Sequence, residues 1–418
     1  MVKFENKKPT NVEIGKRIDK KESTIRAFKK NHPEKIEQLE LEHKEATYPF
    51  LNIKEYLQAI NLDEPLSEKD LLNEIITLSQ RIEKKELPGT IYIDGNKFKH
   101  IFIPAIIDRL EGIKDFMNDI KIQLPITISI GNHKGGAIKT TNTTNIAASL
   151  AYFGYKVLIV DFDPQGNASG SFGIYEGDYK YTIVDLLTMS ADKDIEHKVK
   201  ESVININMDN TFENGITGKL DILANNATMS EQVEDLPSMT RHIGTIENTL
   251  DRVLSYIKND YDFILIDLPP RTDVILRTSM IASDYFLVSL NTQPFAKMGM
   301  PNILNPINKY KHVYKQEKNK DFIILGGIVA CHESGVSIQD ANYNQMKEDI
   351  LTCTDNKTSL FDTYIPKASV IPESQQGDGA VIFNSPTSKI TRKYFDLTLE
   401  ILERLAIEKD MENNKGLN

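Results

Sequence analysis

ITISIGNHKGGAIKTT, residues 126–141, decides how the rest of the 418-residue chain is read. Ile126, Thr127, Ile128 and Ile130 form the β-branched apolar run of a buried strand. The run ends at Gly131, passes Gly135 and Gly136 and reaches Lys139-Thr140-Thr141. Ile146, Leu150 and Phe153 then recur at helical spacing. Strand, glycine-rich turn, lysine-threonine and helix, in that order, describe a phosphate-binding loop. Small residues let the backbone approach an anion. Successive N–H groups and the positive end of the helix dipole then point at the phosphate oxygens. Lys139 is placed to neutralise β/γ-phosphate charge, and the Thr140 hydroxyl to sit on Mg2+. One position breaks the regular pattern: Ile138 stands where glycine usually precedes the lysine.

Two later strand ends carry acidic chemistry. Lys156–Val160 is a short apolar strand that runs into Asp161-Phe162-Asp163-Pro164-Gln165-Gly166-Asn167. Carboxylates at the carboxyl end of a strand lie where an open α/β sheet binds its ligand. YDFILIDLPP, residues 261–270, holds an uninterrupted apolar strand closed by Asp267, as a sheet covered on both faces requires. Asp267 reads as the acidic residue of a Walker-B strand, holding Mg2+ directly or through water. Further strands are expected at Lys219–Ala224, Tyr285–Leu290 and Phe322–Ala330, and helices at Thr182–Thr188, Ile243–Ile257 and Thr387–Leu405. His332 follows the Phe322–Ala330 strand. It is a poor candidate for a catalytic base, because phosphoryl transfer of this type rests on positioning and charge neutralisation.

Lys134 ahead of the two glycines, together with Lys139, resembles the deviant phosphate loop KGGxxKT of the ParA/MinD ATPases. The DxDPQGN segment at Asp161–Asn167 and the Asp267-Leu268-Pro269-Pro270 tail resemble the same family at the right spacing. The resemblance covers residues 125–405 and implies an α/β fold, a mostly parallel-sheet P-loop NTPase core flanked by helices. It implies slow hydrolysis of ATP with Mg2+. Lys134, Gly135, Gly136, Ala137, Ile138, Lys139, Thr140 and Thr141 would contact nucleotide, and Lys134 would reach the partner's nucleotide across a homodimer. Asp163 would position the attacking water. Thr140, Asp267 and, through water, Asp161 would surround the metal. Pro366, in the Asp362–Ile371 segment, would lie on the adenine rim, and Arg271 to Asp273 would form a switch segment. Lys389, Arg392 and Lys393 would hold DNA without sequence preference. A bulky residue at the Ile138 position resembles the larger plasmid members. For those the resemblance implies partition with a ParB-like centromere-binding protein, a cytoplasmic, nucleoid-associated location and autorepression at an operator.

Composition sets the remaining bounds. Net charge is −10, but residues 1–30 carry ten cations against four anions, a local electrostatic footprint on an acidic chain. Asn11–His32 reads as helix, tight turn, helix, with Ile14, Ile18, Ile25 and Phe28 facing inward. The second helix presents Lys21, Ser23, Thr24, Arg26, Lys29 and Lys30, the chemistry of a recognition helix in a major groove. The chain divides into a helix-turn-helix region (1–47), a helical linker or dimerisation region (48–124), the ATPase domain (125–406) and a disordered tail (407–418). Within the linker, Asp94-Gly95 signals a hairpin and Ile106–Ile120 is amphipathic. No apolar run reaches the ~20 residues a membrane span needs. Cys331 and Cys353 form no CxxC pair, which argues for a reducing compartment and against an iron–sulfur carrier. A MinD-like membrane cycler would need a basic amphipathic C-terminal helix, and the tail is acidic and polar. A dethiobiotin-synthetase-like ligase would lack the amino-terminal module. A nucleotide-switched transcription repressor remains the rival reading.

Overall fold

The computed structural model describes residues 104–132, 138–190, 194–208, 218–226, 235–242, 244–270, 274–292, 299–333, 336–354, 357–368, 379–384 and 388–415, and four two-residue strands before them. The main strands carry residues buried on both faces, which call for cover on both sides. Strands β1 (Ile126–Gly131), β2 (Lys156–Asp161), β3 (Val203–Asn205), β4 (Lys219–Leu223), β5 (Phe263–Asp267), β6 (Tyr285–Asn291), β7 (Ile323–His332) and β8 (Ile365–Pro366) form one sheet in the order β8-β7-β6-β1-β5-β2-β4-β3. All neighbours are parallel except the edge strand β3, which runs antiparallel to β4 with Ile204 opposite Ile222.

Strand alternation sorts the core into two halves. Ile128, Ile159, Leu265 and Leu287 point to one face. It is covered by helices α1 (Pro104–Asp119), α2 (Lys139–Tyr152) and α8 (Lys389–Lys415). Leu158, Ile266, Phe286 and Val288 point to the other. That face is covered by α4 (Thr249–Ser255), α5 (Val274–Ala282), α6 (Gly299–Lys318) and α7 (Ser337–Cys353), while α3 (Asn167–Ser171) is a short helix following β2. Because the central strands are parallel, Gly131, Asp161, Asp267, Asn291 and His332 all end at one edge. Gly131, where β1 ends, and the carboxylates of Asp161 and Asp267 meet there.

Three sequence expectations change. Helix α1 packs into the core of the main sheet and is not a separate linker: Leu110, Ile113 and Met117 are buried in it, and Arg109 makes a bidentate pair with Glu403 at 2.6 and 2.5 Å. The tail is helical as far as Lys415. Residues 407–415 contain no proline or glycine, Lys409 pairs with Glu412 at 2.9 Å, and Asn413 Nδ2 donates to the Ile120 carbonyl at 3.2 Å. The helix expected at Ile243–Ile257 splits into a 3-10 turn at Ile246–Asn248 followed by α4. Helix Ile183–Thr188 begins where expected, at a Thr182 capping box closed by Asp185. The hairpin at Asp94-Gly95 pairs Ile93–Asp94 with Lys97–Phe98. The helix-turn-helix candidates Lys21, Ser23, Thr24, Arg26, Lys29 and Lys30 lie outside the described residues.

Candidate nucleotide site

Ile138 begins the site. It is the N-cap residue of α2, with φ 56° and ψ 31°, in the left-handed region that a β-branched side chain occupies only under strain. Its carbonyl accepts the Asn142 N–H at 2.9 Å, so the strained residue starts the helix. The glycine expected at this position would take that conformation without cost. The chain keeps the backbone shape and substitutes a side chain that packs, half-buried, against the core of the α2 face.

Immediately after it, the helix delivers Lys139 and Thr140 to the carboxylate edge. Lys139 is 6% exposed. Burial lowers its pKa, and the charges of Asp267 and then Asp163 oppose that shift. The Thr140 hydroxyl donates to Asp267 Oδ2 at 2.7 Å. One turn deeper, the single proton of the Thr143 hydroxyl has two acceptors at 3.0 Å, the Lys139 carbonyl and Asp267 Oδ1, of which the ionised carboxylate is the stronger. Helix α2 is fixed elsewhere by polar contacts: Asn142 Nδ2 donates to Ser289 Oγ at 2.8 Å, the Tyr394 hydroxyl to Asn142 Oδ1 at 2.9 Å, and the Val381 N–H to Asn145 Oδ1 at 2.8 Å.

Asp161 stands directly opposite Asp267 in the β2–β5 register, and both are fully buried. Asp161 Oδ2 accepts from the Ser169 N–H at 2.8 Å and the Ser169 hydroxyl at 2.7 Å, while Oδ1 is buried with no partner among the described residues. Burial, then the charge of Asp267, pushes the Asp161 carboxyl up to about 8. Burial also pushes Asp267 up, to about 7. Two carboxylates side by side with one orphaned oxygen call for a cation. The oxygen donors at hand are those Mg2+ takes, using one or two carboxylates beside substrate phosphates. Among the described residues no three acidic, His or Cys groups form a self-contained metal cage.

Asp163 is 4% exposed. Its Oδ1 accepts the Gln165 N–H at 3.0 Å, and its carbonyl accepts Asn225 Nδ2 at 3.2 Å. Gly166 follows at φ 63°, and a Cβ there would come within 2.7 Å of the Asn225 carbonyl, so the DPQGN turn needs its glycine. Ser169, Asn225 and Thr143 were not selected by sequence reasoning. Asn225 was findable as a polar residue just beyond a β-strand, at the edge where ligands bind; the other two carry no signal outside the three-dimensional contacts.

The remaining candidates divide. Pro366 pairs with His332 in the β7–β8 register, at the same edge. His332 is buried against Tyr343 and Tyr364, with Nε2 3.3 Å from Asp340 and Nδ1 3.4 Å from the Thr292 hydroxyl. This is a structural setting. Arg392 lies 3.9 Å from Asp396, and the Lys393 amine sits 5.7 Å over the Tyr364 ring, both half-buried on α8. Lys134, Gly135, Gly136, Ala137 and Arg271 to Asp273 lie outside the described residues, as does the side chain of Lys389.

A family described as "AAA domain" matches residues 126–323. The chain is 32% identical over 279 residues to the chromosome-partitioning ATPase Soj of Treponema pallidum, covering 66% of this chain and 97% of that protein. It is 28% identical over 275 residues to the sporulation initiation inhibitor protein Soj of Bacillus subtilis, covering 66% and 97%. To the chromosome partitioning protein ParA of Caulobacter vibrioides it is 24% identical over 277 residues, covering 66% and 94%. Among solved structures, the ATP complex of a Cyanothece McdA variant shares the fold at TM-score 0.52 and 19% identity, over 66% of this chain and 96% of that one. Phosphate loop, paired carboxylates, parallel sheet and near-full-length similarity to Soj agree: the chain belongs to the ParA/MinD family, the P-loop ATPases of chromosome and plasmid partition.

Proposed function

We propose that this chain is a partition ATPase that cycles on DNA: it binds ATP with Mg2+, dimerises, holds DNA without sequence preference and lets go on hydrolysis. The observation that carries this reading is the convergence of Lys139, Thr140, Asp163 and Asp267 at one sheet edge, with the Thr140–Asp267 bond at 2.7 Å. A hydroxyl that donates its proton to Asp267 keeps its oxygen lone pairs for a metal. Bound Mg2+ would neutralise charge on the β- and γ-phosphates. Lys139 binds the same oxygens, and its low-dielectric setting strengthens that attraction. Asp163, fixed through Gln165 and Asn225, orients the water that attacks the γ-phosphate. Lys134 closes the partner's site, and Pro366 borders the adenine.

In the same reading, Lys389, Arg392 and Lys393 contact DNA from the start of α8, and the basic region of residues 1–30 adds operator binding and autorepression. A ParB-like centromere-binding protein stimulates hydrolysis, and the protein works in the cytoplasm on the nucleoid. Among the described residues, no helix is long and apolar enough to cross a membrane. The test is gel retardation of random DNA and of the gene's own upstream region, each with ATP, ADP and no nucleotide. ATP-dependent retention of random DNA is expected; retention indifferent to nucleotide rejects the reading. Removing residues 1–32 separates the repressor alternative, which predicts loss of all DNA binding.

A further inference from the structure

Thr143 is 0% exposed and lies one helical turn past Lys139. Its hydroxyl nonetheless spans the two parts of the site, 3.0 Å from the Lys139 carbonyl and 3.0 Å from Asp267 Oδ1. Thr140 takes the other oxygen, Oδ2, at 2.7 Å. The two threonines therefore hold both carboxylate oxygens of Asp267 and fix the rotation of its carboxyl plane. They do so from a single turn of α2, whose start is set by Ile138. Thr140 alone would leave that plane free to turn about its one bond. A hydroxyl is the smallest group that donates here, and threonine carries it beside a γ-methyl.

We propose that Thr143 is a positioning residue for metal binding: it locks the Asp267 carboxylate in the orientation that a divalent cation beside Thr140 requires. The inference rests on the metal site assigned above to Thr140 and Asp267. Residues that orient metal ligands through hydrogen bonds typically contribute 10–100-fold to metal affinity, about the effect expected here. The role is distinct from packing, because valine matches threonine in shape and removes only the hydroxyl. Serine keeps the hydroxyl and removes only the methyl.

The experiment titrates Mg2+ into the full chain saturated with a fluorescent ADP analogue. Affinity for the same analogue is measured separately in EDTA. Thr143→Val is expected to weaken Mg2+ binding by about 10–100-fold, to leave nucleotide affinity in EDTA within about twofold, and to be rescued by Thr143→Ser. Mg2+ binding by Thr143→Val equal to that of the wild type overturns the inference. So does a parallel loss in EDTA that serine fails to rescue, which assigns the residue to packing. Thr140→Val tests the underlying site independently. If it leaves Mg2+ affinity unchanged, the metal is not held at Thr140 and Asp267, whatever Thr143 does.

Discussion

A single residue, Ile138, starts helix α2 and illustrates two opposed effects. A non-glycine residue held in the left-handed region costs roughly 1–3 kcal/mol, and Ile138 sits there at φ 56°. Its side chain recovers part of that by packing against the core. Replacing it with glycine removes the strain and the packing together, and it also loosens the unfolded chain. Ile138→Gly is therefore expected to change unfolding free energy by less than about 1 kcal/mol, against the ~2–5 kcal/mol typical of large core truncations. Urea denaturation measures this; a loss above roughly 3 kcal/mol would show that packing alone governs the position. The departure from the motif was plain in the sequence. Its resolution was not, because a backbone dihedral is set by what the loop must join: the Gly131 strand end and the first turn of α2.

At the scale of elements, the strands were legible and their attachments were not. β1, β2, β5, β6 and β7 announced themselves as apolar runs because both sheet faces are covered. The acidic residues at their ends were legible because parallel strands deliver those ends to one edge. Helix α1 was readable as amphipathic, but its partner lies 294 residues away at Glu403, and no periodicity reveals such a contact. The assignment of α1 to the ATPase core predicts unequal costs along it. Leu110 is 0% exposed, so Leu110→Ala should destabilise the whole domain by about 2–5 kcal/mol. Arg109 and Glu403 are each about one-third exposed, so Arg109→Ala should cost no more than about 1 kcal/mol. A Leu110→Ala change below roughly 0.5 kcal/mol in chemical denaturation would return α1 to a linker.

The end of β7 gives a pH signature. Burial lowers the His332 pKa below its usual 6.5, against the opposing pull of Asp340. The folded chain then keeps the ring neutral while the unfolded chain takes up a proton. The ring's contribution to stability is full above about pH 6.5 and is lost as pH falls through that value toward the lower folded pKa. His332→Asn should therefore lower Tm most near about pH 7.5 and progressively less towards about pH 5.5. A gap that is independent of pH would mean that the ring is not held neutral.

For the whole molecule, a net charge of −10 would confine the proposed DNA contacts to local basic surfaces, so the proposal expects retention to fall steeply with salt. The cycle itself is the central claim: ATP closes the dimer on DNA through Lys134, and hydrolysis through Asp163 opens it. The most direct measurement is the retention time on random-sequence DNA, in Mg2+ and a limited amount of ATP, for the wild type, Asp163→Ala and Lys134→Ala. The wild type should bind and then release as ATP is consumed. Asp163→Ala should bind equally but hydrolyse and release at least about 100-fold more slowly, and Lys134→Ala should fail to be retained. Release of Asp163→Ala at the wild-type rate, or normal retention of Lys134→Ala, would contradict the account.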